Sequence, residues 1–372
     1  MAFRIPLIKP YIPEESKTLL MKTIDSGFLT EGQVTRDFEA ACRDFIGCKH
    51  ALAVSSCTTG LELALRCLGI GPGDEVAVPD YTYPATADAV AICGAKALLV
   101  DVSPETLLID YDKLEKAMNP RVKAIMPVSQ FGNPLDHERL ALTKKKWGVK
   151  IIEDAACAFG SGFKGIKTGN IADISVFSFH PRKFITSGEG GLVTTNDAEM
   201  ASWMDSYKHF GLRSGPTGRE AASFAMLGTN YKMSNLLSAL ALPQLRMVDR
   251  LMEKRQHLVN RYSSRLLGKP GILGLQKTGA GGKHSYQTFG VFVENALKTI
   301  NALRSQGIEA QIGTYCLHAQ TAFGDASVFP RAGEMSGSKW AYAHFLALPL
   351  YHEMTETEQD EVITALLANS GN

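Results

Sequence analysis

The sequence has almost no net charge and no cysteine pattern that would hold a metal ion. Its 39 lysines and arginines balance 38 aspartates and glutamates, which leaves a formal charge of +1. No broad basic surface is therefore available for nucleic acid, and any anionic ligand must be bound locally. The seven cysteines are scattered without a CxxC pair, so the usual zinc and redox motifs are excluded and reduced thiols are favoured. We predict no bound metal.

Long apolar runs are also absent. No run approaches the roughly 18 apolar residues needed to cross a bilayer, and the opening MAFRIPLIKPYIPEE lacks the apolar core of a signal peptide. We therefore expect a cytoplasmic protein with no membrane partner. With 372 residues, of which 45% are hydrophobic and 21% charged, the chain is too long for one small core. Two domains are expected.

Strands and helices alternate through the first half of the chain. The apolar strands EVAVP, KALLVDV, VKAIMPV and KIIED are separated by the helical patterns TADAVAICG, YDKLEKAM and ERLALTKKKWG. This order predicts an α/β fold with a largely parallel sheet covered by helices on both faces. Two further runs, ISVFSF and GLVTTN, follow without a long helix between them, which indicates a departure from strict alternation.

The pattern changes after SNLLSALALPQLRMVDRLMEKRQHLVNRYSSRLLG, a long helical stretch that contains Pro243. Strands become fewer and glycine-rich connections more frequent. We place a domain boundary near residue 250. Residues 1–250 would form a large domain with an N-terminal arm, and residues 251–372 a smaller C-terminal α/β domain.

The segment SSCTTG precedes the helical pattern LELALRCLG and is a candidate anion site. Unpaired backbone N–H groups and the positive end of the helix dipole attract an anion, and Thr58 adds a hydroxyl donor. Ordinary capping of the helix is the alternative interpretation.

Asp154 ends the predicted buried strand KIIED, at the edge where open α/β sheets bind their ligands. A buried carboxylate needs a cationic partner, and the protonated nitrogen of a pyridine ring is one that turns the ring into an electron sink. A helix cap or an ordinary ion pair would also account for Asp154.

The stretch ISVFSFHPRKFITSGEGGLVTTN combines Lys183 with Ser178 and His180 before it and several glycines after it. A lysine amine attacks an aldehyde only when it is held at a site that lowers its pKa, although most lysines simply lie in solvent. The glycines allow the backbone to approach a ligand closely. In DYTYPATADAV, Tyr81 and Tyr83 lie between a strand and a helix, where a ring can stack on a flat heterocycle or pack in the core.

Taken in order, these segments resemble the DegT/DnrJ/EryC1/StrS family of fold-type-I aminotransferases, which make amino sugars from nucleotide-linked keto sugars. The resemblance covers nearly the whole chain. It is carried by PLIKPYIPEE, SGFLTEGQ, GIGPGDEVAVPDYTYPATADAV, VDVSPETLLID, IIEDAACAFGSGFKGIKTGNIADISVFSFHPRKFITSGEGGLVTTND, GTNYKMSNLLSALALPQL and LALPLYHEMTE. The family implies a seven-stranded, mostly parallel sheet between helices, with a smaller C-terminal α/β domain.

The resemblance implies a pyridoxal 5′-phosphate (PLP) cofactor that passes through its pyridoxamine form. Lys183 would hold the cofactor as a Schiff base and move the proton, and Asp154 would pair with the pyridinium nitrogen. Tyr83 matches the ring that stacks on the pyridine. Four further residues match positions at which the family binds the cofactor phosphate, namely Cys57, Thr58, Ser178 and Asn230. The family supplies the last of these from the neighbouring subunit of a homodimer.

Two cysteines depart from the family pattern. Cys57 stands where the family usually has glycine, a change that leaves backbone donation to the phosphate intact. Cys157 stands where the family commonly has glutamine or histidine near the phenolic oxygen of the cofactor. A thiol is a weaker donor, so the turnover rate rather than cofactor binding is affected.

The resemblance implies L-glutamate as amino donor and a nucleotide-linked keto sugar as acceptor, with a cyclitol ketone left open. Substrate contacts are expected from SGFLTEGQ with Thr30, from a loop around residues 207–219, from His180, and from IGTYCLHAQTAF with Tyr315 and His318. Packing or surface exposure is the alternative for these side chains. A PLP-dependent sugar dehydratase is a rival function, but in such enzymes histidine replaces the family lysine. A non-catalytic regulatory protein would have little reason to keep Lys183, Asp154 and Ser178 together.

Overall fold

The computed structural model describes residues 3–213 and 221–371. Residues 214–219 of the loop expected to contact substrate lie outside the described residues. The helices are α1 (Glu14–Ser26), α2 (Gln33–Ile46), α3 (Cys57–Cys67), α4 (Ala85–Ile92), α5 (Tyr111–Ala117), α6 (His137–Trp147), α7 (Ala198–Lys208), α8 (Asn235–Arg246), α9 (Val248–Leu266), α10 (Ala296–Ser305), α11 (Ser336–His344) and α12 (Glu356–Asn369).

The strands alternate with these helices through the first half of the chain. They are β1 (His50–Val54), β2 (Glu75–Pro79), β3 (Tyr81–Thr82), β4 (Lys96–Val100), β5 (Val122–Ile125), β6 (Lys150–Asp154), β7 (Gly162–Phe163), β8 (Ile166–Lys167), β9 (Ile174–Ser178), β10 (Gly191–Thr195), β11 (Ile272–Leu275), β12 (Gly282–Lys283), β13 (Phe289–Val293), β14 (Gln311–Ile312), β15 (Tyr315–Cys316) and β16 (Phe345–Leu348).

The main sheet has seven strands in the order β1-β10-β9-β6-β5-β2-β4. Strands β9, β6, β5, β2 and β4 pair in parallel. Helices α4, α5 and α6 carry the chain back across the sheet between β2, β4, β5 and β6, whereas the short strands β7 and β8 lie in the connection from β6 to β9. Strand β10 is antiparallel to both of its neighbours. The predicted α/β fold with a mostly parallel sheet is confirmed.

The departure from alternation has a simple cause. No helix crosses back between β9 and β10, so the chain returns beside β9 in the opposite direction. The loop of residues 179–190 therefore begins and ends at the same edge of the sheet as Asp154. This edge is where parallel strands present their carboxyl ends.

The C-terminal third forms a four-stranded sheet in the order β11-β13-β16-β14. It packs with α9, α10 and α12 around a second core that includes Tyr262, Val291 and Leu346. Ile5 of the N-terminal arm belongs to this core and forms a bridge with Ile308. The division near residue 250 would fall in the first turn of α9 and stays a prediction.

The helical stretch predicted after Ser234 is two helices, α8 and α9, which meet at Met247. Pro243 lies inside α8 and cannot donate a backbone hydrogen bond, so the last turn of that helix is weakened. Among the residues that the structure describes, no helix is long and apolar enough to span a membrane.

Candidate active site

A cavity of about 650 Å³ opens at the carboxyl edge of the main sheet. Its walls come from the main sheet, from the loop of residues 179–190 and from the C-terminal strands β14 and β16. Eight predicted residues line it, namely Cys57, Thr58, Tyr83, Asp154, Cys157, Ser178, His180 and Lys183. Residues predicted from separate segments thus converge on one space.

Asp154 is the buried anion of this cavity. Its side chain accepts a hydrogen bond from Thr86 Oγ1 at 2.8 Å and another from the Ala156 N–H at 3.1 Å. Burial raises the pKa of the Asp154 carboxyl, while these two donors and Lys183 act to lower it. A buried carboxylate in such surroundings favours a cationic partner.

Lys183 extends into the same cavity from the loop between β9 and β10. Its Nζ donates to Cys157 Sγ at 3.1 Å. Burial acts to lower the pKa of the Lys183 amine, but Cys157, Cys57 and Asp154 act to raise it, and the net direction is upward. The lowered pKa expected from the sequence is therefore wrong for this arrangement, because these neighbours outweigh burial. Cys157 therefore contacts the reactive amine directly, a contact that the sequence did not predict.

The first turn of α3 supplies the anion site. Ser56 caps the helix, accepting from the Thr59 N–H, and Thr59 Oγ1 accepts in return from the Ser56 N–H. The N–H groups of Cys57 and Thr58 lie in this turn and have no intrahelical acceptor. Both interpretations of SSCTTG are therefore compatible: Ser56 caps the helix, and the next two residues face the cavity.

Gly191 lets the lysine loop lie against this helix end. A Cβ atom on Gly191 would be 2.7 Å from the carbonyl of Ser56 and 2.8 Å from the Cys57 nitrogen. We expected the glycines to admit a ligand. At Gly191 the close neighbour is instead the backbone of the anion site.

Helix α8 fixes the lysine loop from behind. The buried Gln244 side chain accepts from the Thr186 N–H at 3.0 Å and donates to the Thr186 carbonyl at 2.8 Å. Thr186 Oγ1 in turn donates to the Phe179 carbonyl at 2.8 Å. These bonds hold the loop in one geometry, so the amine of Lys183 is pre-positioned.

Tyr83 forms part of the cavity wall and is 65% exposed. Its ring centroid is 6.2 Å from that of Tyr315, which lies on the short strand β15 paired with β3. The alternative that Tyr83 packs in the core is therefore wrong. That alternative is correct for Tyr81, which is fully buried. Tyr315 lies next to the wall rather than on the cavity itself.

His318 does not line the cavity. Its Nδ1 is 2.7 Å from Asp80 Oδ2 and its backbone N–H donates to Asp80 Oδ1 at 2.8 Å. Cys316 Sγ lies 3.4 Å from the same carboxylate. These three residues are a candidate group of metal ligands, but the separations are those of hydrogen bonds, so we interpret the group as a hydrogen-bonded cluster.

Thr30 and Asn230 also lie outside the cavity of this chain. The Thr30 carbonyl accepts from the Asn235 N–H at 3.2 Å, which ties the SGFLTEGQ segment to the start of α8. Asn230 is exposed, and its side chain accepts from the Lys232 N–H at 3.3 Å.

Sequence reasoning missed several residues of the site. Thr86 hydrogen-bonds Asp154, and Gln130, Arg182, Gln287 and Gln311 line the cavity. Gln130 follows β5 at the ligand-binding edge, so the strand-end argument that found Asp154 would also have found it. The other residues carry no comparable signal.

A lysine amine, a buried carboxylate and a helix N-terminus around one cavity match a phosphorylated, cationic heterocycle with an aldehyde. This set defines a site for PLP. Residues 10–367 match the model of the DegT/DnrJ/EryC1/StrS aminotransferase family, and the chain belongs to that family.

The alignments with similar proteins extend over essentially the whole chain. GDP-perosamine synthase of Caulobacter vibrioides is 34% identical over 369 residues, spanning 98% of this chain and 97% of the relative. Spore coat polysaccharide biosynthesis protein SpsC of Bacillus subtilis is 32% identical over 376 residues, spanning 97% and 96%. Spr1654 of Streptococcus pneumoniae, solved in its pyridoxamine-phosphate form, superposes with a TM-score of 0.91 at 28% identity over 99% of both chains. The cofactor of this chain is PLP, and the donor set of the cavity fits it.

Proposed function

We propose that this enzyme transfers an amino group from L-glutamate to the ketone of a nucleotide-linked deoxysugar, as a step in amino-sugar biosynthesis. The observation that carries the proposal is the convergence of Lys183, Asp154 and the first turn of α3 on one cavity. The names of the relatives, a GDP-perosamine synthase and a spore coat polysaccharide protein, support an activated sugar as acceptor.

When bound, PLP supplies an electron sink for the carbon that loses or gains a proton. We assign to Lys183 Nζ the transfer of that proton, as general base and then general acid. We assign to Asp154 the retention of positive charge on the ring nitrogen, since its buried carboxylate is stabilised by Thr86 and Ala156.

The phosphate would be held by the N–H groups of Cys57 and Thr58, the Thr58 hydroxyl and the Ser178 hydroxyl, all of which line the cavity. Tyr83 would stack on the ring. Cys157, in contact with Lys183 Nζ, would replace the amide or imidazole that the family has near the phenolic oxygen.

For the substrates we propose contacts with His180, which lines the cavity, and with Tyr315 beside Tyr83. His318 is better explained by its bonds to Asp80, and Thr30 by its bond to α8. The acceptor ketone would enter where the exposed rings form the wall.

We propose a homodimer in which Asn230 reaches the phosphate of the neighbouring subunit. Three large apolar side chains are strongly exposed, namely Phe28 at 78%, Phe224 at 64% and Leu227 at 94%. Such side chains are usually covered by a protein partner. The seven free cysteines support the cytoplasmic location that we propose.

The proposal is tested by recording the absorption spectrum of the protein with PLP, before and after addition of L-glutamate, for wild type and for Lys183→Ala. We expect a visible band from the lysine-bound cofactor, its conversion by glutamate to the pyridoxamine form, and no such band in the variant. A wild-type protein without the band would refute the proposal. A band that glutamate leaves unchanged would refute glutamate as donor, and conversion followed by no transfer to any keto sugar would refute the acceptor class.

A further inference from the structure

Arg182 is the cation of the cavity that the proposed chemistry leaves without a role. It immediately precedes Lys183, is exposed, and lines the cavity. Of the described cavity residues it is the one arginine. The inference below rests on the proposed function, because it concerns the amino donor of that reaction.

The backbone of Arg182 is fixed on both sides. Its N–H donates to His180 Nδ1 at 3.2 Å, and its carbonyl accepts from Gln287 Nε2 at 2.6 Å. Gln287 is itself anchored, since its carbonyl accepts from the buried Arg255 guanidinium at 3.3 Å. The start of the Arg182 side chain is therefore as well positioned as that of Lys183.

The guanidinium is oriented by a neutral partner. Arg182 Nη1 donates to Gln311 Oε1 at 3.1 Å, and Gln311 also lines the cavity. Within residues 3–213 and 221–371, Arg182 forms no ion pair with a carboxylate, although Asp154 and Glu189 line the same cavity. Its charge and its other N–H donors remain available to a ligand.

We propose that Arg182 binds a carboxylate of the amino donor. A guanidinium presents paired N–H donors in a plane that matches the two oxygens of a carboxylate, and partial desolvation in a cavity strengthens such a contact. The donor must bring its amine to the cofactor held by Lys183, and Arg182 is the next residue along a rigid loop. The chain has almost no net charge, so this local cation is what selects an acidic donor.

The glutamate half-reaction tests the assignment without any sugar acceptor. The holoenzyme is mixed with L-glutamate, and conversion of the cofactor is followed by absorption for wild type, Arg182→Gln and Arg182→Lys. We expect Arg182→Gln to raise the glutamate concentration for half-maximal rate about 10- to 100-fold, as for a lost charge-assisted hydrogen bond. Arg182→Lys keeps the charge without the planar fork and should fall between.

Arg36→Gln is the matched control. Arg36 is also exposed and also bonded to a glutamine oxygen, that of Gln33 at 2.9 Å, but it lies on α2 and does not line the cavity. It should behave as wild type. Gln311→Leu removes the neutral partner of Arg182 and should weaken glutamate binding by a smaller factor than Arg182→Gln.

L-glutamine, a neutral analogue, identifies which carboxylate is bound. If the variant loses activity on glutamate but not on glutamine, Arg182 binds the side-chain carboxylate; equal losses assign it to the α-carboxylate. The proposal is overturned if glutamate dependence stays within twofold of wild type. It is also overturned if Arg182→Gln leaves the glutamate half-reaction unchanged but weakens the apparent affinity for a nucleotide sugar in the complete reaction, which would assign Arg182 to the diphosphate. A fall in the maximal rate of the half-reaction alone, not restored in Arg182→Lys, would overturn it as well. Absence of any cofactor band in wild type would instead refute the proposed function.

Discussion

Removal of the Thr86 hydroxyl should shift the acid limb of the pH–rate profile to higher pH, so that activity is lost earlier as the solution is acidified. Asp154 can stabilise a ring cation only while it is ionised. Burial raises the pKa of its carboxyl, and the bond from Thr86 Oγ1, at 2.8 Å, is the foremost influence that lowers it. A hydrogen bond to a charged group contributes about 1.5 to 3 kcal/mol. Since about 1.4 kcal/mol corresponds to a factor of ten in a protonation equilibrium, Thr86→Val should move the acid limb upward by about one to two pH units.

The sign follows from the direction of protonation. As the pH falls through the pKa of Asp154 the carboxylate becomes neutral, and any change that raises that pKa causes the loss to begin at higher pH. The assay is the rate of the glutamate half-reaction between pH 5 and 9, at saturating cofactor. Two controls should keep the acid limb of the wild-type pH–rate profile. Thr86→Ser keeps the hydroxyl that bonds Asp154. Thr82→Val removes a different hydroxyl, which lies 3.0 Å from Thr86 Oγ1 and does not bond Asp154. Superimposable acid limbs for Thr86→Val and wild type would refute the reasoning.

Three further predictions concern other parts of the structure. Lys208→Met should lower the free energy of unfolding by about 3 to 5 kcal/mol, measured with urea, because the buried Lys208 ammonium bonds Glu31 at 3.0 Å and lies 3.5 Å from Glu39, so its loss removes a cation that these two carboxylates share. The pKa of His209 is raised to about 9 by its bonds to Asp205 and Glu31. The stability that the protonated imidazole contributes is therefore complete below about pH 6.5 and is lost as the pH rises through 9. His209→Gln should abolish this part of the pH dependence of the unfolding free energy, and an unchanged dependence would contradict the assignment. Cys157→Gln, which restores an amide donor beside Lys183, should speed the glutamate half-reaction by about threefold to tenfold without weakening cofactor binding, and slower turnover would show that the thiol is the better neighbour.

Much of the fold and the reactive centre could be predicted from the sequence, for identifiable reasons. Alternating apolar strands and amphipathic helices leave few possible topologies, and parallel strand ends meet at one edge of the sheet. The position of Asp154 at that edge was therefore predictable from local pattern, whereas its role was implied by the family resemblance. Lys183 was singled out by its place between two strands and by the glycines that follow it.

Contacts between distant segments were not predictable in the same way. His318 bonds Asp80, which lies 238 positions away in the chain, and no local pattern distinguishes that pairing from a substrate contact. Thr86 gives no sign that the first turn of α4 will face Asp154. The significance of Arg182 depends on Gln311 and Gln287, both of which arrive from the C-terminal third.

The composition of the cavity wall bears on the order in which the enzyme is made. Ala347, Leu348 and Leu350 line the cavity, although Lys183 and Asp154 come from the middle of the chain. The residues of the large sheet are synthesised before residues 347–350, and N-terminal parts of a chain fold first during synthesis. The nascent protein can thus present a nearly finished catalytic centre with one wall missing. Tight capture of PLP should therefore wait until residues 347–350 have been synthesised and have folded against the large sheet.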